Sequence, residues 1–181
     1  PPHFDRYIHY SREVQRIYSE YTDRREPFGI DESWLDITGC LRAGEGERAA
    51  REIGARVKRE LGLTVSVGVS WNKVFAKLGS DYKKPDAVTV IDRGNFRDIV
   101  WPLPAEELLY VGRSTRVRLA ALGIHTIGDI ARTEERVLKL RLGKMGEVLH
   151  AYANGLDNSP VLREGESAPA KSVGNGTTTP R

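Results

Sequence analysis

Two adjacent carboxylates, Asp31 and Glu32, lie between two short apolar segments. In residues 28–30 and 35–37 apolar side chains alternate with smaller or polar ones, a spacing typical of half-buried strands. Neighbouring acids on a rigid support repel each other unless a cation neutralises them. Hard oxygen ligands at this density favour Mg²⁺ or Mn²⁺, usually shared with substrate phosphates. The pattern predicts a β-hairpin that presents a divalent-metal site; a polar hairpin turn is the alternative.

Lysines follow the clearest alternating strand of the sequence, residues 63–70. Lys73 and Lys77 are four residues apart on a predicted helix, and Lys84 follows in a loop. Lysines at these positions can reach over the acidic hairpin, balance triphosphate charge and stabilise a leaving pyrophosphate. The alternative for this cluster is a solvated helix face.

A tight glycine turn leads into a helix within residues 111–124, as in a helix-hairpin-helix element. Backbone N–H groups of such a turn can hold a nucleic-acid phosphate, aided by the positive end of the helix. Arg113, Arg116 and Arg118 add positive charge, and no acid occurs between residues 112 and 123. The alternative is an ordinary joint between two helices.

The composition describes a soluble globular protein: 181 residues, 39% hydrophobic and 29% charged. No apolar run approaches the ~20 residues that a membrane helix needs, so no membrane partner is expected. The net charge of +3 indicates little about nucleic acid by itself. Cys40 is the only cysteine, which excludes an internal disulfide. We expect it to be a small buried residue in a reducing, cytoplasmic compartment.

Periodicity gives the order helix, hairpin, helix, strand, helix, strand. The predicted helices cover residues 11–23, 47–61 and 72–81, and the predicted strands cover residues 63–70 and 87–91. Ser11 and Ser70 are the expected N-caps, and Gly62 the expected left-handed residue after the second helix. This order predicts an α+β fold, a mostly antiparallel sheet with helices on one face.

The sequence pattern changes at residue 92, after which short predicted helices are separated by glycines. This predicts a separate small all-α domain, with a capping box at Thr126 and Asp129. Three tryptophans are expected in the core or at the domain junction: Trp34, Trp71 and Trp101. Asp36 is expected to make a structural hydrogen bond rather than to bind metal.

Three of these pieces together resemble the Y-family, translesion DNA polymerases, in the bacterial polymerase IV group of the ImpB/MucB/SamB type. Residues 30–36, Ile-Asp-Glu-Ser-Trp-Leu-Asp, resemble the second acidic motif of the family. Residues 67–81, continuing to Lys84-Pro85, resemble the palm segment that follows that motif. Residues 111–124 stand where the family has its thumb. The resemblance spans nearly all of residues 10–158, in order and at matching spacing.

The resemblance implies a partial polymerase palm in residues 1–91, lacking its first strand and fingers. It implies a thumb with a helix-hairpin-helix in residues 92–165. A linker and the start of an absent little-finger domain follow in residues 166–181, where residues 172–174 resemble the approach to that domain. We therefore expect most of a palm plus a thumb from a longer enzyme.

Site residues are carried over from the same resemblance. Asp31 and Glu32 match catalytic metal ligands, which in the complete enzyme hold two Mg²⁺ ions, with Mn²⁺ as an alternative. Lys84 matches a lysine that contacts the incoming triphosphate. The turn that holds DNA backbone is matched by Gly112, Arg113, Ser114, Thr115 and Arg116. The implied partners are primer-template DNA, dNTP and, through parts absent from this chain, a sliding clamp.

The implied function is template-directed DNA synthesis in translesion DNA repair, by nucleotidyl transfer from dNTP to a primer 3′-hydroxyl. The family uses a further Asp and fingers residues upstream, and nothing before Phe4 supplies them. The chain alone is therefore expected to be inactive. Two alternatives are a nucleotidyl cyclase, which also places paired acids on a palm-like sheet, and a non-catalytic DNA-binding module. A metal titration with and without primer-template DNA separates the three.

Overall fold

The computed structural model describes residues 3–40, 42, 44–166 and 174. Most of the expected linker, residues 166–181, and two of the three residues that resemble the little-finger approach lie outside this part of the chain. The N-terminal elements are α1 (Phe4–Ser19), β1 (Arg25–Phe28), β2 (Glu32–Leu35), α2 (Gly46–Leu61), β3 (Val67–Val69), α3 (Lys73–Tyr82) and β4 (Val88–Val90).

The N-terminal region is mixed α and β, as predicted. Strands β1 and β2 form an antiparallel hairpin in which Phe28 faces Glu32, whereas β3 and β4 pair in parallel. Helix α3 lies against both β3 and β4. At Gly68 the backbones of β3 and α3 nearly touch, since an added Cβ would lie 1.9 Å from the Ala76 carbonyl oxygen. The glycine thus fixes α3 directly on the strand.

Several predicted boundaries are wrong. Helix α1 begins at Phe4 rather than at Ser11, which lies inside it. The third strand is shorter than residues 63–70, covering only Val67–Val69. Asn72, not Ser70, caps α3, because its Oδ1 accepts a hydrogen bond from the Phe75 N–H at 2.8 Å. Gly62 does adopt the predicted left-handed conformation after α2, with φ +68°.

The C-terminal region is helical, as expected. Its elements are α4 (Phe96–Val100), a 3₁₀ turn (Ala105–Glu107), α5 (Arg113–Ala120), α6 (Ile127–Arg132), α7 (Glu135–Leu142) and α8 (Lys144–Ala153). The predicted capping box of Thr126 and Asp129 is present at the start of α6. One apolar core joins this region to α3, because Phe75 and Leu78 pack in the same cluster as Leu119 and Leu149.

A second, smaller core holds α1 and α2 together through Ile17, Ile53 and Val57. No helix in the described part of the chain is long and apolar enough to cross a membrane. Cys40 is exposed rather than buried, because it lies in a turn after β2 and not in either core.

Candidate functional site

The two adjacent acids lie at the tip of the β1–β2 hairpin, which we call the acid hairpin (residues 25–35). Gly29 turns the chain there with φ +80°, a left-handed conformation that glycine adopts without steric cost. Asp31 is exposed at the end of the turn, and Glu32 is half-buried at the start of β2. The Phe28 and Trp34 rings pack at 4.8 Å between centroids and brace the tip.

The acid hairpin lines a groove of about 700 Å³ together with β3, the start of α3 and the chain after α8. Both acids, Asp31 and Glu32, line this groove, and so do Lys77 and Lys84. The structure therefore brings the predicted metal ligands and the predicted triphosphate-binding lysine to one cavity. Opposite charges facing one cavity suit a phosphate ligand accompanied by a metal cation.

A network of ion pairs crosses the groove. Lys77 Nζ lies 3.0 Å from Glu32 Oε1 and also contacts Asp81. Lys84 Nζ lies 2.6 Å from the other oxygen of Asp81. Desolvation alone would raise the pKa of Asp81, but the hydrogen bonds from Lys77 and Lys84 outweigh it and the pKa is lowered. Asp81 thus stays ionised and holds both lysines at the groove.

Lys73 reaches the acid hairpin, as predicted, but it contacts Glu26 rather than the adjacent acids Asp31 and Glu32. Its Nζ lies 2.7 Å from both Glu26 oxygens and 4.4 Å from the centre of the Trp34 ring. The side chains of this ion pair are only 13% and 20% exposed. The Leu162 N–H also donates to Glu26 at 3.0 Å. Lys73 therefore ties the hairpin to α3 and to the chain after α8.

Asp36 makes the structural hydrogen bond that was predicted for it. Its Oδ1 accepts from the Thr38 N–H at 3.0 Å. Hydrogen bonds from Thr38 lower the pKa of this carboxyl below its ordinary value.

The predicted DNA-binding turn, residues 112–116, lies at the start of α5. Gly112 is the N-cap in an extended conformation, and no side chain caps the helix. An added Cβ at Gly112 would meet no atom within 4 Å, so the turn is open on that side. Arg116 pairs with Glu106 at 2.8 Å, and Arg118 donates to the Arg141 carbonyl. Backbone N–H groups and Arg113 are thus the groups this turn offers to a phosphate.

The carboxylates of Asp31 and Glu32 fit a divalent cation as part of a ligand set. Both supply hard oxygen ligands, the type that Mg²⁺ and Mn²⁺ prefer. Among the described residues there is no group of three or more His, Cys, Asp or Glu side chains that could hold a metal. Further oxygen ligands are therefore needed, and Mg²⁺ commonly takes them from water and substrate phosphates.

Two family models match the chain and together cover more than half of it. The impB/mucB/samB family matches residues 1–81, and the DNA polymerase-iota thumb domain matches residues 106–157. The chain belongs to the Y family of DNA polymerases, and residues 106–157 match a thumb domain of that family. This confirms the resemblance drawn from the three motifs.

The similar proteins include DNA polymerase IV of Acetivibrio thermocellus, 53% identical over 97% of this chain and 44% of the relative. DNA polymerase IV 1 of Bacillus subtilis is 43% identical over 98% of this chain and 43% of the relative. The crystal structure of DinB from Sulfolobus solfataricus matches with a TM-score of 0.80 and 29% identity, covering 89% of this chain and 48% of that one. The chain thus spans less than half the length of these relatives.

Sequence reasoning missed three residues: Asn72, which lines the groove, and Glu26 and Asp81, which pair with its lysines. Glu26 and its lysine are 47 residues apart, so no local pattern connects them. Asp81 is four residues after Lys77 on α3, and this i,i+4 spacing could have indicated the pair. Asn72 directly precedes α3, where an Asn is a common N-cap.

Proposed function

We propose that the protein containing this chain carries out template-directed DNA synthesis in translesion repair, transferring a nucleotidyl group from dNTP to a primer 3′-hydroxyl. The observation that carries the proposal is the shared groove, where Asp31 and Glu32 face the same cavity as Lys77 and Lys84. The similarity to proteins named DNA polymerase IV supports the same reaction.

In this proposal Asp31 and Glu32 are the catalytic metal ligands. Bound Mg²⁺, or Mn²⁺ in its place, supplies activation of the primer hydroxyl and charge neutralisation at the leaving pyrophosphate. Glu32 is held by Lys77 at 3.0 Å, which keeps its carboxylate oriented into the groove. Lys84 binds the triphosphate. Its side chain is 54% exposed beside Asp81, so it is free to turn toward an incoming phosphate.

The turn of Gly112, Arg113, Ser114, Thr115 and Arg116 would hold the backbone of primer-template DNA. Backbone N–H groups at a helix start attract phosphate, and the exposed Gly112 lets the strand approach closely. Because phosphate contacts carry no base information, this turn would bind DNA of any sequence.

Further parts of the proposal concern the chain itself. We place the palm in residues 1–91, the thumb in residues 92–165, and a linker into a little-finger domain in residues 166–181. Since the two acids need further ligands, the 181-residue chain alone would not synthesise DNA. A cytoplasmic location and a sliding clamp as partner of the longer protein complete the proposal.

The main test is primer extension by the full-length protein carrying Asp31→Asn or Glu32→Gln. Metal-assisted steps gain several kcal/mol, so we expect extension to slow by about a hundredfold or more. Asp98→Asn, which changes an exposed acid on α4, is the matched control and should leave the rate unchanged. Extension at the normal rate by both site variants would reject the roles of Asp31 and Glu32.

A second test measures binding of the purified chain to labelled primer-template DNA by anisotropy at several salt concentrations. We expect weak binding whose affinity falls as salt rises. Arg113→Ala should weaken it and reduce the salt slope by about one. Arg116→Ala should weaken DNA binding less than Arg113→Ala does, because Arg116 is already paired with Glu106. Unchanged binding in the double variant would show that these two arginines do not contact DNA.

A further inference from the structure

A backbone carbonyl gives the thumb a polar contact with the palm, beside the apolar core that the two regions share. The Gly155 oxygen, just after α8, accepts hydrogen bonds from Trp71 Nε1 and Asn72 Nδ2, both at 3.1 Å. Gly155 lies two residues beyond the last residue of α8, and both donors to its carbonyl come from the palm. We call these three residues, Trp71, Asn72 and Gly155, the Gly155 junction.

The junction leaves little room for adjustment. Gly155 has φ +70°, and an added Cβ would lie 2.7 Å from the Trp71 ring and 2.9 Å from the Phe75 ring. The Trp71 and Phe75 rings themselves pack edge to face at 5.2 Å. A second indole, that of Trp101, donates to the Ala153 carbonyl at 3.1 Å. Trp101 belongs to the thumb, so this bond fixes the end of α8 within the thumb, while the contacts at Gly155 hold it against the palm.

Asn72 has two roles at once. Its Nδ2 binds the Gly155 carbonyl, while its Oδ1 accepts from the Phe75 N–H at 2.8 Å and caps α3. The same side chain thus begins α3 and binds the thumb. Any shift of the thumb at Gly155 acts directly on the first turn of α3.

Helix α3 leads from this junction to the acid hairpin. Lys73, the next residue, pairs with Glu26 at 2.7 Å, and Lys77, one turn further, lies 3.0 Å from Glu32. A ten-residue helix is short and well supported here by β3 and β4. The position of the thumb and the position of the Glu32 partner are therefore set by one rigid element.

We propose that Asn72 is a positioning residue that fixes the DNA-binding turn of the thumb relative to the acid groove. Binding both α3 and the Gly155 carbonyl, it adds a directed polar contact to the apolar core that palm and thumb share, so that DNA held at residues 112–116 meets Asp31 and Glu32 in a fixed register. The effect of Asn72 on DNA synthesis rests on the proposed polymerase activity, whereas its effect on the palm–thumb distance does not.

The test uses Asn72→Ser, because serine keeps the N-cap acceptor and loses the donor to Gly155. Spin labels on Arg59→Cys in α2 and Arg136→Cys in α7, with Cys40→Ser, report the palm–thumb distance by pulsed electron resonance. These two side chains are 66% and 83% exposed, so labels there should not disturb packing. Asn95→Ser is the control: Asn95 precedes α4, accepts from the Asp92 N–H at 2.8 Å and donates to the Val90 carbonyl at 3.1 Å, away from the junction.

For Asn72→Ser we expect a urea unfolding midpoint close to that of Asn95→Ser but a clearly broader palm–thumb distance distribution. In the full-length protein we expect extension slower by on the order of tenfold at saturating dNTP, since small misplacements of reacting groups are costly. A distribution as narrow as that of the control would overturn the positioning role. If the distribution broadens while wild-type protein shows no DNA synthesis, the proposed function fails and the mechanical role stands.

Discussion

The groove of the palm and the turn of the thumb hold their candidate functional groups in different ways. In the groove the lysines are paired with acids: Lys77 with Glu32 and Asp81, and Lys84 with Asp81. At the start of α5 the exposed backbone around Gly112 is the main feature, with no side-chain cap. The groove therefore depends on paired side-chain charges, whereas the turn depends on the conformation of its exposed backbone.

This difference indicates which changes each region tolerates. A charge network rearranges when a ligand enters, so single side chains in the groove should change binding more than stability. A backbone turn keeps its shape only if the helices behind it pack closely. In the thumb, Gly146 of α8 lies so close to α7 that an added Cβ would be 2.2 Å from the Leu138 carbonyl oxygen.

The largest expected effect comes from Gly146→Ala. The new methyl group would collide with backbone that cannot move aside, so we expect a loss of about 3 kcal/mol in the free energy of unfolding. Gly54→Ala in α2 is the control, because its Cβ would meet only a Val65 methyl at 3.8 Å. It should be neutral or stabilising by up to about 1 kcal/mol. Urea unfolding measures both, and equal stabilities would mean that α7 and α8 are not closely packed.

A smaller effect is expected from the capping box of α6. Thr126→Ala removes the Thr126 acceptor of the Asp129 N–H and should lower the free energy of unfolding by about 1 kcal/mol.

Desolvation alone would raise the pKa of Asp129, but N–H donors from His125 and Thr126 bring it to about 2. This stabilisation is present above the ordinary value of 3.8 and is lost as the pH falls toward about 2. Asp129→Asn should remove this pH dependence, so that the free energy of unfolding changes less with pH in that window than it does in the wild type.

The smallest expected effect on stability comes from Asp81→Asn, which removes the acid that pairs with the groove lysines Lys77 and Lys84. Its partners are partly exposed, so after solvent screening we expect a loss of about 0.5 kcal/mol that shrinks in high salt. The lowered pKa of Asp81 means that the native contribution is present above the ordinary carboxyl range and disappears as the pH falls through the depressed value. Urea unfolding of Asp81→Asn, Lys77→Met and the double variant gives the coupling energy. A loss as large as that of Gly146→Ala would remove the contrast between the two regions.

Features that depend on local spacing were predictable from the sequence. The left-handed Gly62 and the capping box of Thr126 and Asp129 are set by residues within one turn of each other. The start of α1 at Phe4 was not predictable, because its first turns have several exposed apolar side chains and no amphipathic stripe.

Contacts between distant parts of the chain were also beyond sequence reasoning. Lys73 pairs with Glu26 because the fold brings α3 against the hairpin, and nothing in either segment favours that partner over Glu32. The acids Asp31 and Glu32 could be proposed as a site from the sequence because they are adjacent in it and do not depend on long-range packing to meet.

The chain after α8 returns to the first hairpin, where Arg25 lies 2.5 Å from Glu164 and Glu26 accepts from Leu162. During synthesis on a ribosome, β1 and β2 emerge about 130 residues before these partners. Until then the Arg25 guanidinium and the Glu26 carboxylate lack part of their final environment. The nascent hairpin therefore completes its contacts last, although it is made among the first elements.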